Sequence, residues 1–318
     1  MARLRDLPKA IRKVGFIPFM KRIWVQINED NVFTWASALA YAWLFAIFPF
    51  LIFVLTLFPY LPERLRHSAE RQIRHAVHES LPAKPAEQIA GEVERVLNEP
   101  KQGVLSLGLL LALWGASGGM AMTMSALDRA YDVERGRPYF KQRATAIFLT
   151  ISVATLILLV AIFIPIGTAL TRLALKYADQ YDWLRIVLNR PLLVLWEVTR
   201  YVLGTLFLVT AVGLLYHFGP SIKQRWRLLT PGAAFAMAGW FLLGVVFRQY
   251  VDHSTSYDKT YGAVGGVVIM LLCFYLDALI LLIGAEINSE VDYIVLGIKP
   301  GTNDFRGEPE STPVAPAP

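Results

Sequence analysis

The chain has 318 residues, of which 55 % are hydrophobic and only 18 % charged, with a mean hydropathy of +0.45. A soluble protein of this length has too little interior to hide that much apolar surface, so many apolar side chains must face lipid. The net charge of +6 flanks the apolar segments instead of gathering in one basic domain, which reads as membrane topology rather than nucleic-acid binding, and the lone cysteine, Cys273, excludes an intramolecular disulfide.

In chain order, residues 1–35 form a basic arm. Phe19, Ile23, Trp24 and Ile27 make one stripe among Lys and Arg, which predicts an amphipathic helix in an anionic membrane interface. The first apolar window starts beyond residue 30 and lacks a small-residue cleavage site, so it is expected to remain in the membrane as a span. Six windows are nearly free of charge and long enough to cross a core of about 30 Å as helices. They predict spans near 36–60, 104–125, 144–170, 191–216, 229–250 and 262–286. Lipid offers no hydrogen bonds, so the backbone must satisfy itself, and long continuous apolar runs fit helices rather than barrel strands. The expected fold is all-α: a six-helix transmembrane domain over 36–299, with the arm before it and a disordered cytoplasmic tail over 300–318.

Between the first two spans, apolar residues recur at three- and four-residue steps on both sides of Leu81-Pro82-Ala83-Lys84-Pro85. The segment 62–103 is therefore expected to be an amphipathic helical hairpin outside the cytoplasm. The arm, the 126–143 and 217–228 loops and the tail carry 17 Lys and Arg, against 12 on the opposite side. Basic loops stay inside, so both termini are placed in the cytoplasm.

Candidate sites follow from residues that an apolar span does not tolerate cheaply. Asp277 lies near the middle of the last window, where a carboxylate must be protonated, paired or in water. Glu197 and Arg200, three apart in the fourth span, share a face and can pair, either as an interface ion pair or as a functional one. An Asp277 partner must come from another helix, and Arg200 is the nearest candidate by type. The run Tyr257, Asp258, Lys259, Thr260, Tyr261 reads as a helix cap or as the polar mouth of a cavity, with Lys259 placed for an anionic head group. Gly115 and Gly119, and Gly262 and Gly266, have the small-residue spacing that lets helices approach closely. His67, His75 and His78 read as a solvated helix face, no metal-ligand set is present, and no nucleotide or hydrolase motif occurs. No cofactor is expected.

Three stretches carry a resemblance to a known family. They are Ala36-Ser37-Ala38-Leu39-Ala40-Tyr41 with Phe48-Pro49-Phe50, then Ser125 through Val133 with Arg143, and then Ser256 through Gly265 continuing to Leu282-Ile283-Gly284-Ala285-Glu286-Ile287-Asn288. On these the chain resembles the YihY/virulence factor BrkB family of bacterial inner-membrane proteins, some members of which have carried a ribonuclease label. The resemblance implies a six-helix inner-membrane protein with cytoplasmic termini and little about chemistry. Asp277 and Ala46 depart from it, where a small or neutral polar residue and a serine are usual. The leading expectation is a non-enzymatic transporter or flippase-like protein for an amphiphilic or anionic envelope molecule, with membrane lipids as its surroundings and no nucleic-acid partner. The alternative is a scaffold or assembly factor acting through the 62–103 hairpin, and a third is a membrane-associated ribonuclease.

Overall fold

The structure is a computed structural model that describes residues 3–57, 102–133, 135–178, 190–253 and 257–297. The expected 62–103 hairpin, apart from its last two residues, and the 300–318 tail lie outside the described residues. A short 3₁₀ turn, Leu4–Asp6, leads into α1 (Leu7–Val14) and α2 (Phe16–Glu29). Six long helices follow: α3 (Val32–Leu57), α4 (Gln102–Ala130), α5 (Tyr139–Ala178), α6 (Arg190–Phe218), α7 (Pro231–His253) and α8 (Tyr257–Leu296). Each of the six is long and apolar enough to cross a membrane, and no strand occurs among the described residues.

Breaks between helices fall where the backbone must turn left-handed. Gly15 at φ +92° ends α1, and Asn31 at φ +54° separates α2 from α3. Asp132 at φ +51° lies just past α4; Asn and Asp tolerate this region better than most residues. α7 opens with Pro231 behind Thr230, whose Oγ1 accepts the Ala233 N–H at 3.1 Å as an N-cap.

Several helices outrun the uncharged windows. α5 and α8 have 40 residues each, about 60 Å at the usual rise and twice the hydrocarbon thickness. Helical hydrogen bonding does not stop where charge begins, so the last turns of α8 leave the lipid and become a partner for the N-terminal arm. This changes the role of the arm. Phe19, Ile23 and Ile27 are buried in the same core as Val291 and Ile294, and Lys13 Nζ donates to the Ile294 carbonyl at 2.7 Å. The stripe expected in the lipid interface is thus spent on protein, and only Trp24 of the four stays exposed, edge-on to Phe33 with centroids 6.4 Å apart.

Burial is concentrated at one end, here the proximal end, which holds α1, α2, the start of α3 and α7, and the last turns of α4, α6 and α8. Leu39, Leu127, Tyr216, Ala233, Leu281 and Val291 all belong to that core. Away from it the helices present Phe148, Ile157 and Leu158 of α5, and Phe241 and Leu242 of α7, to the outside, as lipid-facing surfaces do.

Candidate functional site: a buried carboxyl pair at the proximal end

Two of the stretches singled out in the sequence, Ser125–Val133 and Leu282–Asn288, meet at the proximal end. The meeting begins with backbone contact. A Cβ built on Gly232 of α7 would lie 1.8 Å from the Gly284 carbonyl oxygen, and one on Gly284 would lie 2.2 Å from the Tyr216 hydroxyl. Only glycine permits this approach. The contact is pinned on three sides: Asn288 Oδ1 accepts the Gly232 N–H at 2.7 Å, and the Tyr216 hydroxyl of α6 donates to the Leu281 carbonyl at 2.7 Å. Asp128 accepts from the Ser221 hydroxyl at 2.8 Å, while Arg137 donates to the Gly219 and Pro220 carbonyls at 2.8 and 2.7 Å, fixing the turn between α6 and α7.

Against this seal stands a set of acids. Asp30, at the α2–α3 junction, is 3 % exposed, and Glu286 of α8 is fully buried. The two carboxyls face each other. Asp30 Oδ1 pairs with Arg129 Nε at 3.1 Å, but Asp30 Oδ2 and both carboxyl oxygens of Glu286 have no donor among the described residues. The Tyr131 hydroxyl and Asn288 Nδ2 are also buried without a hydrogen-bond partner there. Buried polar groups are normally satisfied, so four such side chains at one spot need a reason. Burial, followed by the charge of Asp132, pushes the Asp30 carboxyl up to about 6, and the Arg129 guanidinium only partly opposes this. Burial also raises Asp132 and, with Asp292, raises Tyr131 well above the ordinary phenol range.

Beside the pair lies an open cavity of about 680 Å³, lined by Lys21, Arg22, Gln26, Asp132, Glu290 and Tyr293 among others. Arg22 pairs with Glu290 at 3.2 Å, and Gln26 Nε2 donates to Asp132 at 3.5 Å. Asp132 and Glu290 both line the cavity, and Glu290 lies one helical turn from Glu286 on α8.

The sites expected from sequence are more dispersed. Glu197 and Arg200 pair on α6 as their spacing predicted. Arg200, 2 % exposed, also donates to Thr168 Oγ1 at 3.0 Å and to the Tyr201 hydroxyl at 3.4 Å, and its stem lies over Gly167 of α5. The expected reach from Arg200 to Asp277 is therefore not made, because α6 turns this side chain towards α5 and away from α8. Asp277 is partly buried on α8, and its backbone carbonyl accepts the Trp240 indole N–H at 3.3 Å. Tyr257, Asp258, Lys259, Tyr261 and Gly262 fall in the first turns of α8, and His67, His75 and His78 lie outside the described residues. Gly115 and Gly119 do serve a close approach: a Cβ would meet Pro49 Cγ at 2.9 Å and Trp43 Cδ1 at 3.3 Å on α3. Gly266 has nothing within 4 Å. The Asp30–Glu286 pair was missed. Its one signal was Glu286 inside an otherwise apolar and small-residue run, Leu281 to Asn288.

Comparison with known proteins places these stretches in context. The family model described as Virulence factor BrkB matches residues 23–303. A Bacillus subtilis (strain 168) protein, YfkH, whose name calls it ribonuclease-like, is 33 % identical over 272 residues, covering 85 % of this chain and 94 % of that one. A UPF0761 membrane protein of Stenotrophomonas maltophilia (strain K279a) is 24 % identical over 292 residues, covering 92 % of this chain but 63 % of its own, so this chain spans less than two thirds of that relative. A UPF0761 membrane protein of Methylibium petroleiphilum is 24 % identical over 314 residues and 70 % covered. No solved structure matches the chain.

Proposed function

This chain belongs to the virulence factor BrkB family of membrane proteins, and from that premise we propose that it carries an amphiphilic or anionic envelope molecule across the bacterial inner membrane, with both termini in the cytoplasm. One observation carries the reading. Every residue of α7 from 244 to 250 is exposed. A helix packed along one side buries a stripe every three or four residues, so seven consecutive exposed positions leave space all round it. The distal end of α6 packs on α5 through Trp196 and Arg200 and exposes Val194, Leu195, Val198, Tyr201 and Val202 on its other sides.

α7 thus leaves a gap beside it at the distal end, and the helices close at the proximal one. The gap is apolar on α7, through Phe241, Leu242, Val245 and Val246, which suits an acyl chain entering sideways from lipid. Polar contacts for a head group are at hand in the Glu197–Arg200 pair and in Asp277. The Gly232–Gly284–Tyr216 contact closes the path below Asp277. Asp277 and Glu286 stand on the two sides of that closure, nine residues or about 14 Å apart along α8.

The test is reconstitution of the full chain in vesicles holding a fluorescent phospholipid, with an impermeant reductant added outside. The expected result is loss of the inner-leaflet signal faster than in protein-free vesicles, slowed by Asp277→Asn. Loss at the protein-free rate across zwitterionic and anionic probes overturns the reading. If cellular function instead survives Asp277→Asn and Lys259→Ala but not deletion of 62–102, the scaffold role takes its place.

A further inference from the structure

The Asp30–Glu286 pair has no place in lipid movement as described so far, and it is the least expected feature of the molecule. Two carboxyls face each other in a buried site, and one of them has no donor on either oxygen among the described residues. Burial of both disfavours ionising the two together, so the pair as a unit holds a proton over a range of pH. The groups around it come from every element packed there. Arg129, Tyr131 and Asp132 come from the end of α4. Arg22, Gln26 and Glu29 come from α2. Asn288, Glu290 and Asp292 come from α8, and Tyr216 comes from α6. Arg129 is the one cation paired with Asp30 among the described residues, and it is half exposed, at 52 %.

Two further facts point to a proton rather than a metal ion. Asn288 Nδ2 brings to the site a donor that a cation would not tolerate, and the Tyr131 hydroxyl can donate as well. Among the described residues no three His, Cys, Asp or Glu side chains converge as a metal would need. The open cavity under α2 gives access nearby: it is lined by Glu290, one helical turn from Glu286 on α8, and by Asp132, three residues from Arg129, the partner of Asp30.

We propose that the Asp30–Glu286 pair is a proton-binding site, loaded from the cavity between α2 and the end of α8, and that its occupancy couples a proton to the transport cycle. The coupling rests on the transport reading above; the binding site does not. Proton binding costs no oxidant or co-reactant: one carboxylate oxygen takes the proton, and the other carboxylate accepts the resulting O–H.

Infrared difference spectroscopy tests this on the full chain in nanodiscs, between acid and alkaline pH, in sodium-free buffer and in an Asp277→Asn background. The expected result is a protonated-carboxyl C=O band that shifts in D₂O, titrates with pH, and loses its highest-pH part in Glu286→Gln, where Asp30 alone remains. Asp132→Asn, on the cavity rim, should keep the band and move its midpoint to lower pH, because one neighbouring negative charge is gone; this variant carries the test if Glu286→Gln fails to fold. Absence of the band, a titration unchanged in Glu286→Gln, a midpoint unmoved by Asp132→Asn, or loss of the band at fixed pH when sodium is added each overturns the site. In vesicles, lipid movement that ignores a pH gradient while the band is present overturns the coupling and leaves transport standing. A titrating band with no lipid movement leaves the site and removes the transport reading.

Discussion

Replacing Gly232 with alanine probes the closure directly. The added Cβ would lie 1.8 Å from the Gly284 carbonyl oxygen, 2.6 Å from its carbon and 2.7 Å from Asn288 Nδ2. Ordinary contact begins near 3.4 Å, so α7 and α8 must separate by about 1.6 Å locally. Backbone stands on both sides, so no side chain can swing away. The separation stretches two buried hydrogen bonds, Gly232 N–H to Asn288 and Tyr216 to the Leu281 carbonyl, each worth about 1 kcal/mol. Overpacking adds roughly 1–3 kcal/mol, for a total of about 3–5 kcal/mol. In detergent, thermal unfolding can be followed through the single thiol, Cys273, with a dye that reacts as it becomes exposed. The expected drop in Tm is on the order of 10 °C. Gly266→Ala is the control: nothing lies within 4 Å, and the exchange removes a helix-destabilising glycine worth up to about 1 kcal/mol, so it should melt at or above the parent. If Gly232→Ala melts with the parent, the close approach of α7 to α8 is not a feature of the folded protein.

Asp30 has an ordinary value of 3.8 and a folded value of about 6, so the folded state holds its proton more tightly. Its contribution to stability is full below pH 4 and lost as pH rises through 6, at most about 3 kcal/mol; Asp30→Asn should flatten the unfolding profile across that window, and an unchanged slope refutes the assignment. In the Glu197–Arg200 pair the arginine is the buried partner, at 2 % against 36 %, so Glu197→Gln, which strands a buried charge, should cost more than Arg200→Met, by about 3 against about 1 kcal/mol in chemical denaturation; equal costs would place both groups in the same surroundings. A reporter active only in the cytoplasm should work when fused after Lys299 and be silent when fused at Pro85, and the reverse result inverts the topology. The ribonuclease-like name of one relative calls for a direct check: the purified chain is expected to leave RNA intact, and cleavage that is lost with a point change in this chain would revive an enzymatic role.

The six long helices were legible because lipid removes the alternatives. A run with no charge from Asn31 to Pro62, or from Ala144 to Thr171, has no stable form in a bilayer core other than a helix. Their ends were not legible in the same way. Hydropathy marks where lipid stops, not where hydrogen bonding stops, so α8 was read to residue 286 and continues to Leu296. That continuation gives the arm its docking surface, and no periodicity within residues 16–29 could have shown whether Phe19, Ile23 and Ile27 meet lipid or protein. Gly115 and Gly119 were visible because both lie on one helix at a known spacing. Gly232 and Gly284 were not, since their contact joins helices 52 positions apart and each brings a single glycine.

Visibility of the acids followed the same logic, inverted. Asp277 stands out because its neighbours are apolar, yet the structure leaves it half-buried, with only its backbone carbonyl held, by Trp240. Asp30 and Asp132 flank spans, where charges are common and usually solvated, and nothing in the sequence marks Asp30 as 3 % exposed. Glu286 is the case that decides which acids matter. A fully buried carboxyl with no donor lowers stability, and an apolar or amide residue of similar volume would fit with less desolvation cost. The packing around it does not require it, because the closure at Gly232, Gly284 and Tyr216 is made by other groups. A residue that weakens the fold and is not needed to build it is better explained by what it binds than by what it supports. The same reasoning separates it from Arg200, whose charge is paired with Glu197 and whose terminal nitrogens donate to Thr168 and Tyr201, leaving only Nε without a partner.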